Sequence, residues 1–548
     1  MRLDKNSPPY LQRLATISSF CARGLTIIGA TLFAVAAHAQ IAPVTTCDHA
    51  GIGSVILTAD APVTILSVAP ATTPAPASVP YCLVKVLIPT AINIWVGLPT
   101  NWNGRWQSLG GGGYAGTVSA PDAAVNAGYA GATTDTGHTG GVLDGRFAMT
   151  TSLPFGPNTA LQIDFAYRSE HLMAVVGKQL AHAYYGQQSV YSYWNGCSTG
   201  GRQGLTMAQR FPKDYDGILA GAPAIHYDRF HIAELWPQVA MHLDNGGPIG
   251  GGVPATLAAK ETLATNAAIA ACDLLDGVQD GVLTDPRSCK YSAANDPSIT
   301  KASCTPSDST CLTPTEASAI DKMWQGPVSC AAGFSGGTCA VPDFATRNMN
   351  GKGNKRLWYG LTRGASLGGL GGVTPFPIPV EWVRYFVYFD PTWDLNTLTY
   401  TTYVQLFRDS VSTSGPLQAS DNPDLSEFRD NGGKLLLWHG FADQLIMPEG
   451  TIEYYDNVVN TLHGGYSHTQ DFARLFMAPG VAHCGGGVGP QPQNLFGTVV
   501  NWVEQGQAPD TILAAKTGQT RPLCPYPEFA VWTGTGDTND AANFVCAK

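Results

Sequence analysis

Apolar and polar positions along the chain predict short strands that alternate with helices after residue 80. Strand-like runs occupy residues 82–88, 92–98, 106–109 and 191–195. Apolar side chains recur at helical spacing in residues 165–184, residues 201–210 also predict a helix, and residues 123–134 predict a helix end followed by a strand. Strands that alternate with helices favour a mostly parallel sheet covered on both faces. Residues 40–80 are weakly patterned and predict an irregular N-terminal arm.

The alternation stops between residues 226 and 427, where the chain is rich in cysteine, glycine, proline and aromatic residues. Buried-type strands return at residues 434–439 and 473–478, and residues 495–504 predict a helix. The simplest architecture is one α/β sheet with a large insertion, which would lie over the carboxyl ends of the strands as a lid. The three predicted parts are a first sheet segment, the lid and a second sheet segment, at residues 40–225, 226–427 and 428–548.

Residues 1–39 have the organisation of a signal peptide. A basic start precedes an apolar run at residues 25–37, and Ala37-His38-Ala39 places small residues where a signal peptidase reads, so cleavage is expected after Ala39. A membrane anchor is the alternative, but the run is too short to span a bilayer. We therefore expect a secreted or periplasmic protein that has no membrane association after cleavage.

Composition restricts the classes of partner that the protein can bind and indicates the redox compartment in which it acts. The chain has 31 basic and 41 acidic residues, and an acidic surface repels phosphate backbones, so no nucleic-acid partner is expected. Of 13 cysteines, one lies in the leader, and an even number in an exported chain predicts a disulfide framework. The pairing stays open from sequence alone. Short separations favour four local pairs: Cys272–Cys289, Cys304–Cys311, Cys330–Cys339 and Cys524–Cys546.

The segment Gly196-Cys197-Ser198-Thr199-Gly200 matches the pattern G-x-S-x-G between a predicted strand and a predicted helix. This context is that of a nucleophile elbow in an α/β-hydrolase, where glycines remove clashes in a tight turn and the serine lies at a helix N-terminus. The N–H of Thr199 is one candidate donor to an oxyanion, and the glycine run at residues 110–113 would supply the other. The predicted fold class is an α/β-hydrolase sheet with a large inserted lid domain.

A serine nucleophile needs a histidine base and an orienting carboxylate, and in this fold the acid precedes the histidine along the chain. Asp443 follows the first of the two returning strands, and His483 lies on a glycine-rich loop after the second. Both positions suit these roles, although a surface acid and an inactive loop histidine are the alternatives. His439, at the end of the first returning strand, is expected to pack or hydrogen-bond near the site.

Two cysteines flank the candidate nucleophile and base. Cys197 directly precedes Ser198, and Cys484 directly follows His483. The α-carbons of a disulfide lie roughly 5.5–6 Å apart. A bridge between these two cysteines would therefore hold the serine and the histidine within hydrogen-bonding reach.

An acidic loop at residues 272–282 is a candidate cation site. Calcium prefers several hard oxygen ligands, including carboxylates and backbone carbonyls. The candidate donors are three carboxylates and two backbone carbonyls, from Asp273, Asp276, Asp280, Val278 and Val282. An ordinary acidic turn is the alternative, and the residues by themselves leave both open.

Together these segments resemble the tannase/feruloyl esterase family, from about Cys47 to Cys546. The resemblance is carried by residues 196–204, 272–282, 439–443 and 479–484. It implies a disulfide between Cys197 and Cys484, a Cys47–Cys82 pair and Gly113 as the second oxyanion residue. It also implies a structural Ca²⁺ on the lid loop, held by Asp273, Asp276, Val278, Asp280 and Val282, and no organic cofactor.

The resemblance further implies a serine carboxylesterase that hydrolyses aromatic, phenolic acid esters. One branch of the family hydrolyses mono(2-hydroxyethyl) terephthalate with a lid arginine. In the matching stretch, residues 361–379, Arg363 is the only cation, which argues against that substrate. Four lid aromatics could stack on an aromatic acyl group or could pack the lid core: Trp358, Tyr359, Phe376 and Trp382.

Three functions remain open from the sequence. The first is an aromatic-ester hydrolase, the second a hydrolase of other esters or of peptides, and the third a non-catalytic, calcium-stabilised binding protein. An intact set of Ser198, Asp443 and His483 argues against the third, because a scaffold without activity has no need to keep all three.

Overall fold

A computed structural model describes residues 40–329 and 355–548, and the predicted strands assemble there into one central sheet. The strands, in chain order, are β1 (Thr64–Thr72), β2 (Pro80–Ile88), β3 (Ile92–Pro99), β4 (Arg105–Leu109), β5 (Ala130–Thr134), β6 (Tyr191–Cys197), β7 (Gly217–Gly221), β8 (Val328–Ser329), β9 (Lys355–Arg356), β10 (Lys434–Gly440), β11 (Ala473–Ala478), β12 (Gln491–Pro492), β13 (Ile512–Lys516), β14 (Gln519–Leu523), β15 (Phe529–Trp532) and β16 (Phe544–Ala547). The predicted signal peptide, residues 1–39, lies outside the described residues.

The central sheet has the strand order β1-β2-β3-β5-β4-β6-β7-β10-β11. Pairing is parallel from β5 through β4, β6, β7 and β10 to β11, and antiparallel from β1 to β5 through β2 and β3. The predicted parallel sheet therefore carries an antiparallel edge. Such a mixed sheet with helices on both faces is the α/β-hydrolase architecture expected from the sequence.

Helices cover the two faces of the sheet. In chain order they are α1 (Asp122–Asn126), α2 (Thr159–Ile163), α3 (Ser169–Tyr185), α4 (Thr199–Arg210), α5 (Tyr227–Glu234), α6 (Trp236–Asn245), α7 (Pro254–Cys272), α8 (Pro314–Gln325), α9 (Pro377–Trp382), α10 (Tyr400–Gln418), α11 (Ser426–Asp430), α12 (Pro448–Thr461), α13 (Gly465–Thr469) and α14 (Leu495–Gln505). The core on one face is formed with α3, α4 and α12, and the core on the other with α1 and α14. None of the described helices combines the length and the apolar character needed to span a bilayer.

Two strands of the central sheet were not expected from the sequence. β1 lies within the predicted irregular arm, and its side chains are mostly exposed or half-buried because it forms the edge of the sheet. A strand with little burial lacks the apolar alternation that a pattern search requires. β7 is only five residues long and begins and ends with glycine, yet every one of its residues is buried.

Within its described residues, the insertion adds no strand to the central sheet. Between β7 and β10 the described chain runs through helices α5 to α11, the short antiparallel pair of β8 and β9, and small irregular segments. A second apolar cluster holds these helices together and contains Trp236, Trp324 and Trp382. It also includes Tyr114 and Phe165 of the first sheet segment, so the insertion packs directly onto the sheet domain.

Five disulfides stabilise the described chain, and they confirm the pairs expected there. They are Cys47–Cys82, Cys197–Cys484, Cys272–Cys289, Cys304–Cys311 and Cys524–Cys546. The predicted Cys330–Cys339 pair lies outside the described residues.

A buried ion pair joins two helices of the insertion. The ammonium of Lys260, on α7, lies 2.6 Å from a carboxylate oxygen of Glu316, on α8, and both side chains are fully buried. Glu316 also accepts hydrogen bonds from the N–H groups of Gly250 and Thr313, and together with the Thr313 hydroxyl it forms a capping box that begins α8. One carboxylate thus fixes the start of a helix and neutralises a buried cation.

We predict that Glu316→Ala lowers the free energy of unfolding by about 3–5 kcal/mol, because it leaves a buried ammonium without its partner. Asp430→Ala is the control, since it breaks a surface pair with Arg429 whose aspartate side chain is 65% exposed, and it should cost less than about 1 kcal/mol. Urea unfolding followed by tryptophan fluorescence measures both. Equal shifts of the two midpoints would contradict the prediction.

Candidate active site

The serine of the G-x-S-x-G segment lies on a sharp turn between β6 and α4. Ser198 has a φ of +63°, and its N–H donates to the carbonyl of Gly221 at the end of β7. A Cβ on Gly196 would lie 2.4 Å from the Gly200 carbonyl oxygen, and one on Gly201 would lie 2.5 Å from that of Gly221. Side chains at these glycines would push the elbow apart, so the tight turn requires them.

Asp443 and His483 meet at the carboxyl ends of β10 and β11. Nδ1 of His483 lies 2.7 Å from Oδ2 of Asp443, and Nε2 of His439 lies 2.9 Å from the same oxygen. The other oxygen, Oδ1, accepts the N–H groups of Leu445 and Ile446, each at 2.9 Å. The carboxylate therefore has hydrogen-bond partners on both oxygens, which fixes its orientation.

These contacts keep Asp443 ionised although it is fully buried. Burial would raise its pKa, but the charge of His483 and the hydrogen bonds from His439 and His483 outweigh burial, so the pKa lies well below its ordinary value. His439 is also buried, and its Nδ1 lies 2.8 Å from the hydroxyl of Thr451. This agrees with the hydrogen-bonding role that the sequence suggested for His439.

The Cys197–Cys484 disulfide ties the elbow to the loop that carries His483. Its α-carbons are 6.0 Å apart, although the two residues are separated by 287 positions. Ser198 and His483 consequently line the same cavity. Because Asp443 engages Nδ1 of His483, the nitrogen left for Ser198 is Nε2.

The glycine run after β4 packs against the start of α4. The hydroxyl of Thr199 donates to the carbonyl of Gly113 at 2.7 Å. The N–H of Gly111 donates to the side chain of Gln203 at 3.0 Å, and Gln203 donates to Glu170 at 2.6 Å. Burial raises the pKa of Glu170 to about 8.

Within the described chain, the N–H groups of Thr199 and Gly113 donate to no other residue, which leaves both available to a ligand.

The cavity beside Ser198 has a volume of about 260 Å³ and a mostly apolar wall. The residues that line it are Gly112, Gly113, Val142, Leu143, Ser198, Thr199, Ala224, Tyr227, Phe230, His231, Glu234, Phe376, Ile378, Leu445, Ile446 and His483. They come from the sheet segments and from the insertion alike. The cavity therefore lies where the insertion meets the carboxyl ends of the strands.

Of the four lid aromatics considered from the sequence, only Phe376 lines this cavity. Trp382 is fully buried and stacks on Phe386 with 4.6 Å between ring centroids. Trp358 is also buried and contacts Tyr359 edge-on at 5.3 Å. For these three the structure favours the alternative of core packing, because large rings are buried most completely inside the insertion.

Sequence reasoning missed the cavity residues on α5, among them Tyr227, His231 and Glu234. They reach the site because α5 begins six residues after β7, at the carboxyl end of a central strand. Ligand sites of parallel sheets lie at that edge, so a prediction of β7 would have marked α5 as a candidate.

The acidic loop follows α7 and lies within the stretch of chain that the Cys272–Cys289 bridge closes. Asp273 accepts the N–H of Gly281 at 2.9 Å, and one oxygen of Asp280 forms an ion pair with Arg521. Burial, with the nearby Asp280 charge, raises the pKa of Asp276. Within the described residues, the three aspartates do not bring a carboxylate oxygen each to within 4.8 Å of one another.

The donors of this loop nevertheless match calcium in kind. In the described chain, the backbone carbonyls of Val278 and Val282 accept no hydrogen bond, and with the three aspartates they form an all-oxygen set. Gly277 and Gly281 have φ values of +85° and +76°, which let the backbone turn between the carboxylates. Hard oxygens of this type are the ligands that Ca²⁺ prefers.

Comparison with known proteins identifies the family of the chain. Residues 85–547 match the family model described as tannase and feruloyl esterase. A probable feruloyl esterase of Arthroderma benhamiae is 38% identical over 479 residues, which cover 83% of this chain and 82% of the relative. The mono(2-hydroxyethyl) terephthalate hydrolase of Piscinibacter sakaiensis is 32% identical over 534 residues, with 87% of each chain covered.

The fold has the same relatives. The crystal structure of feruloyl esterase B from Aspergillus oryzae superposes with a TM-score of 0.75 at 28% identity, and covers 90% of this chain and 98% of that chain. The family model and the curated relatives each extend over most of the sequence. This chain therefore belongs to the tannase and feruloyl esterase family.

Proposed function

We propose that this chain is a serine carboxylesterase that hydrolyses esters of phenolic acids. Ser198 is the nucleophile, His483 the general base and Asp443 the carboxylate that orients it. The observation that carries the proposal is the 2.7 Å contact between Asp443 and His483, held beside the elbow serine by the Cys197–Cys484 bridge. Family membership supports the same chemistry.

The reaction follows from this arrangement. Nε2 of His483 accepts the hydroxyl proton of Ser198 while Oγ attacks the ester carbonyl carbon, and Asp443 stabilises the resulting imidazolium. The N–H groups of Thr199 and Gly113 donate to the oxyanion. His483 then returns the proton to the departing alcohol, which leaves an acyl-enzyme. Water attacks the acyl carbon with His483 again as base, and the acid and free serine are released.

The lining of the cavity supports an aromatic acyl group. Val142, Leu143, Phe376 and Ile378 offer apolar surface close to the serine, and a flat ring buries a large area against such a wall. The relatives named feruloyl esterases act, by those names, on feruloyl esters. An ester of a phenolic acid fits both observations.

A terephthalate monoester is the second candidate, because one relative carries that name. Its free carboxylate would need a cation, and no lysine or arginine belongs to the cavity wall within the described residues. Arg363 instead donates to the carbonyl of Tyr291 at 2.7 Å and lies over the ring of Trp324. We therefore prefer a phenolic ester to a substrate that bears a second carboxylate.

We also propose export and a structural calcium ion. The leader at residues 1–39 and the disulfides of the described chain support action outside the reducing cytosol. Asp273, Asp276 and Asp280, with the carbonyls of Val278 and Val282, would hold Ca²⁺. The ion would neutralise like charges in the loop and take no part in the ester chemistry.

We predict that Ser198→Ala lowers kcat on phenolic esters by roughly 10⁶-fold, because it removes the nucleophile. The assay is a panel of methyl ferulate, methyl gallate, chlorogenate and mono(2-hydroxyethyl) terephthalate. The three phenolic esters should show a higher kcat/KM than the terephthalate monoester. Ser298→Ala, an exposed turn serine, is the control and should keep full activity. An enzyme that cleaves only peptides, or a Ser198→Ala protein that keeps its turnover, would refute the proposed function.

A second prediction concerns the bridge. Replacing Cys197 and Cys484 together by alanine should lower kcat by roughly 10²-fold, since a displacement of about 1 Å between reacting groups has an effect of that size. The matched control replaces Cys304 and Cys311, whose bridge closes a loop of sequence separation 7 and contributes no residue to the cavity wall. Circular dichroism checks that both proteins fold. Unchanged kcat without the Cys197–Cys484 bridge would show that the tether is dispensable.

The calcium proposal predicts a stability effect. Removal of Ca²⁺ with EDTA should lower the melting temperature, and added Ca²⁺ at about 100 times its Kd should restore about 2.7 kcal/mol. Asp276→Asn should abolish this response, whereas Asp308→Asn, in an exposed turn of the insertion, should retain it. Calorimetric titration of the metal-free protein with CaCl₂ gives an independent readout. A melting temperature that changes neither with EDTA nor with added Ca²⁺ would exclude a structural calcium ion.

A further inference from the structure

A second histidine and carboxyl pair borders the cavity, and the proposed mechanism does not use it. His231 and Glu234 lie three residues apart on α5 and are only 2% and 3% exposed. Both belong to the wall that Ser198 and His483 also line. Nδ1 of His231 lies 2.6 Å from Oε2 of Glu234, so the two side chains form one hydrogen-bonded unit, which we call the polar pair.

The polar pair has one unused group. Nε2 of His231 is buried and has no hydrogen-bond partner within the described chain. A buried polar atom without a partner is unfavourable, so such an atom at a ligand cavity indicates that a ligand satisfies it. Around the ring lie Tyr227, with 4.2 Å between centroids, and Trp382, at 5.2 Å. These rings hold the imidazole in place.

The charge of the pair restricts what it can bind. Burial, with a smaller effect of the Asp443 charge, raises the pKa of Glu234 well above its ordinary value. Burial, with the charge of Arg202, lowers the pKa of His231 well below its ordinary value. Burial therefore favours the neutral form of both groups, and a neutral pair offers no cation to a carboxylate.

A hydroxyl group matches a neutral imidazole in either tautomer, because it both donates and accepts. In one tautomer Nδ1 of His231 carries the proton, and Nε2 accepts a hydrogen bond from the ligand hydroxyl. In the other, Glu234 donates to Nδ1, and the N–H at Nε2 donates to the oxygen of the ligand hydroxyl. The remaining wall near the pair is apolar or aromatic, as a phenol ring requires.

We propose that His231, positioned by Glu234, determines specificity by hydrogen-bonding a ring hydroxyl of the aromatic acyl group. The inference rests on the proposed esterase function and extends it to the recognition of the acyl substituent. The pair takes no part in bond cleavage. Its contribution is to favour hydroxylated aromatic esters over the same esters without the hydroxyl.

The test compares matched substrates in matched enzymes. The substrate pairs are methyl 4-hydroxycinnamate with methyl cinnamate, and methyl 3,4,5-trihydroxybenzoate with methyl benzoate. His231→Phe keeps a ring and removes both nitrogens. For each enzyme the readout is the ratio of kcat/KM between the hydroxylated and the plain ester. Comparing this ratio between enzymes cancels the effect of the hydroxyl on intrinsic ester reactivity.

We expect His231→Phe to lower this ratio by about tenfold, the value of one hydrogen bond to a buried partner, because the plain ester never makes that hydrogen bond. Glu234→Leu leaves the ring in place without its anchor and should lower the ratio in the same direction by a smaller factor. His171→Phe changes a histidine that pairs with Asp214 and does not line the cavity, so it should leave the ratio unaltered. Labelling of Ser198 by a fluorophosphonate probe checks that each variant is folded and competent.

Two results overturn the inference while the proposed function stands. In the first, the ratio of kcat/KM between the hydroxylated and the plain ester is no higher in the wild-type enzyme than in His231→Phe. In the second, His231→Phe and Glu234→Leu lower kcat/KM equally for both esters of a pair. Failure of the proposed function has a different signature. In that case the wild-type enzyme reacts with the fluorophosphonate at Ser198 but hydrolyses no aromatic ester, and the inference falls with it.

Discussion

The bridge between the elbow and the base loop is the constraint on which the whole site depends. β6 and β11 are separated in the sheet by β7 and β10, which places their ends about 14 Å apart at ordinary strand spacing. The loop after β11 must therefore reach back across two strands, and Cys197–Cys484 fixes it there with α-carbons 6.0 Å apart. The insertion lies inside the covalent loop that this bridge closes.

The acid is held as firmly as the nucleophile and the base, by different means. Asp443 receives hydrogen bonds from two backbone N–H groups and lies between two imidazoles, so its charge is stable in a fully buried position. His439 is anchored in turn by Thr451. Of Asp443, His439 and His483, only His483 lines the cavity. The proton transfers of the proposed reaction therefore occur at one imidazole nitrogen.

The sequence predicted the parts of this structure whose signals are local. The strands β2, β3 and β6 and the helix α4 have clear apolar patterns, and the elbow and the cysteines beside it stand within short motifs. β1 and β7 escaped detection because one is an exposed edge and the other is short and glycine-bounded. The cavity wall could not be derived, since it combines the loop at Val142, α5 and the segment at Phe376, which only tertiary packing brings together. The same packing buried Trp382, an aromatic residue that sequence alone could equally assign to the wall.

Histidine and carboxyl side chains occur in two pairs around one cavity, and their surroundings give them opposite properties. Asp443 accepts several hydrogen bonds, so it stays ionised and can stabilise the imidazolium that forms when His483 accepts the serine proton. Glu234 has a single side-chain partner in an apolar setting, so burial dominates and favours the neutral form of its pair with His231. An ionised carboxylate suits a base that must gain and lose a proton, and a neutral pair suits the recognition of an uncharged hydroxyl. The chemical roles at the two pairs therefore follow from the number of hydrogen bonds each carboxyl group receives, more than from the residue types themselves.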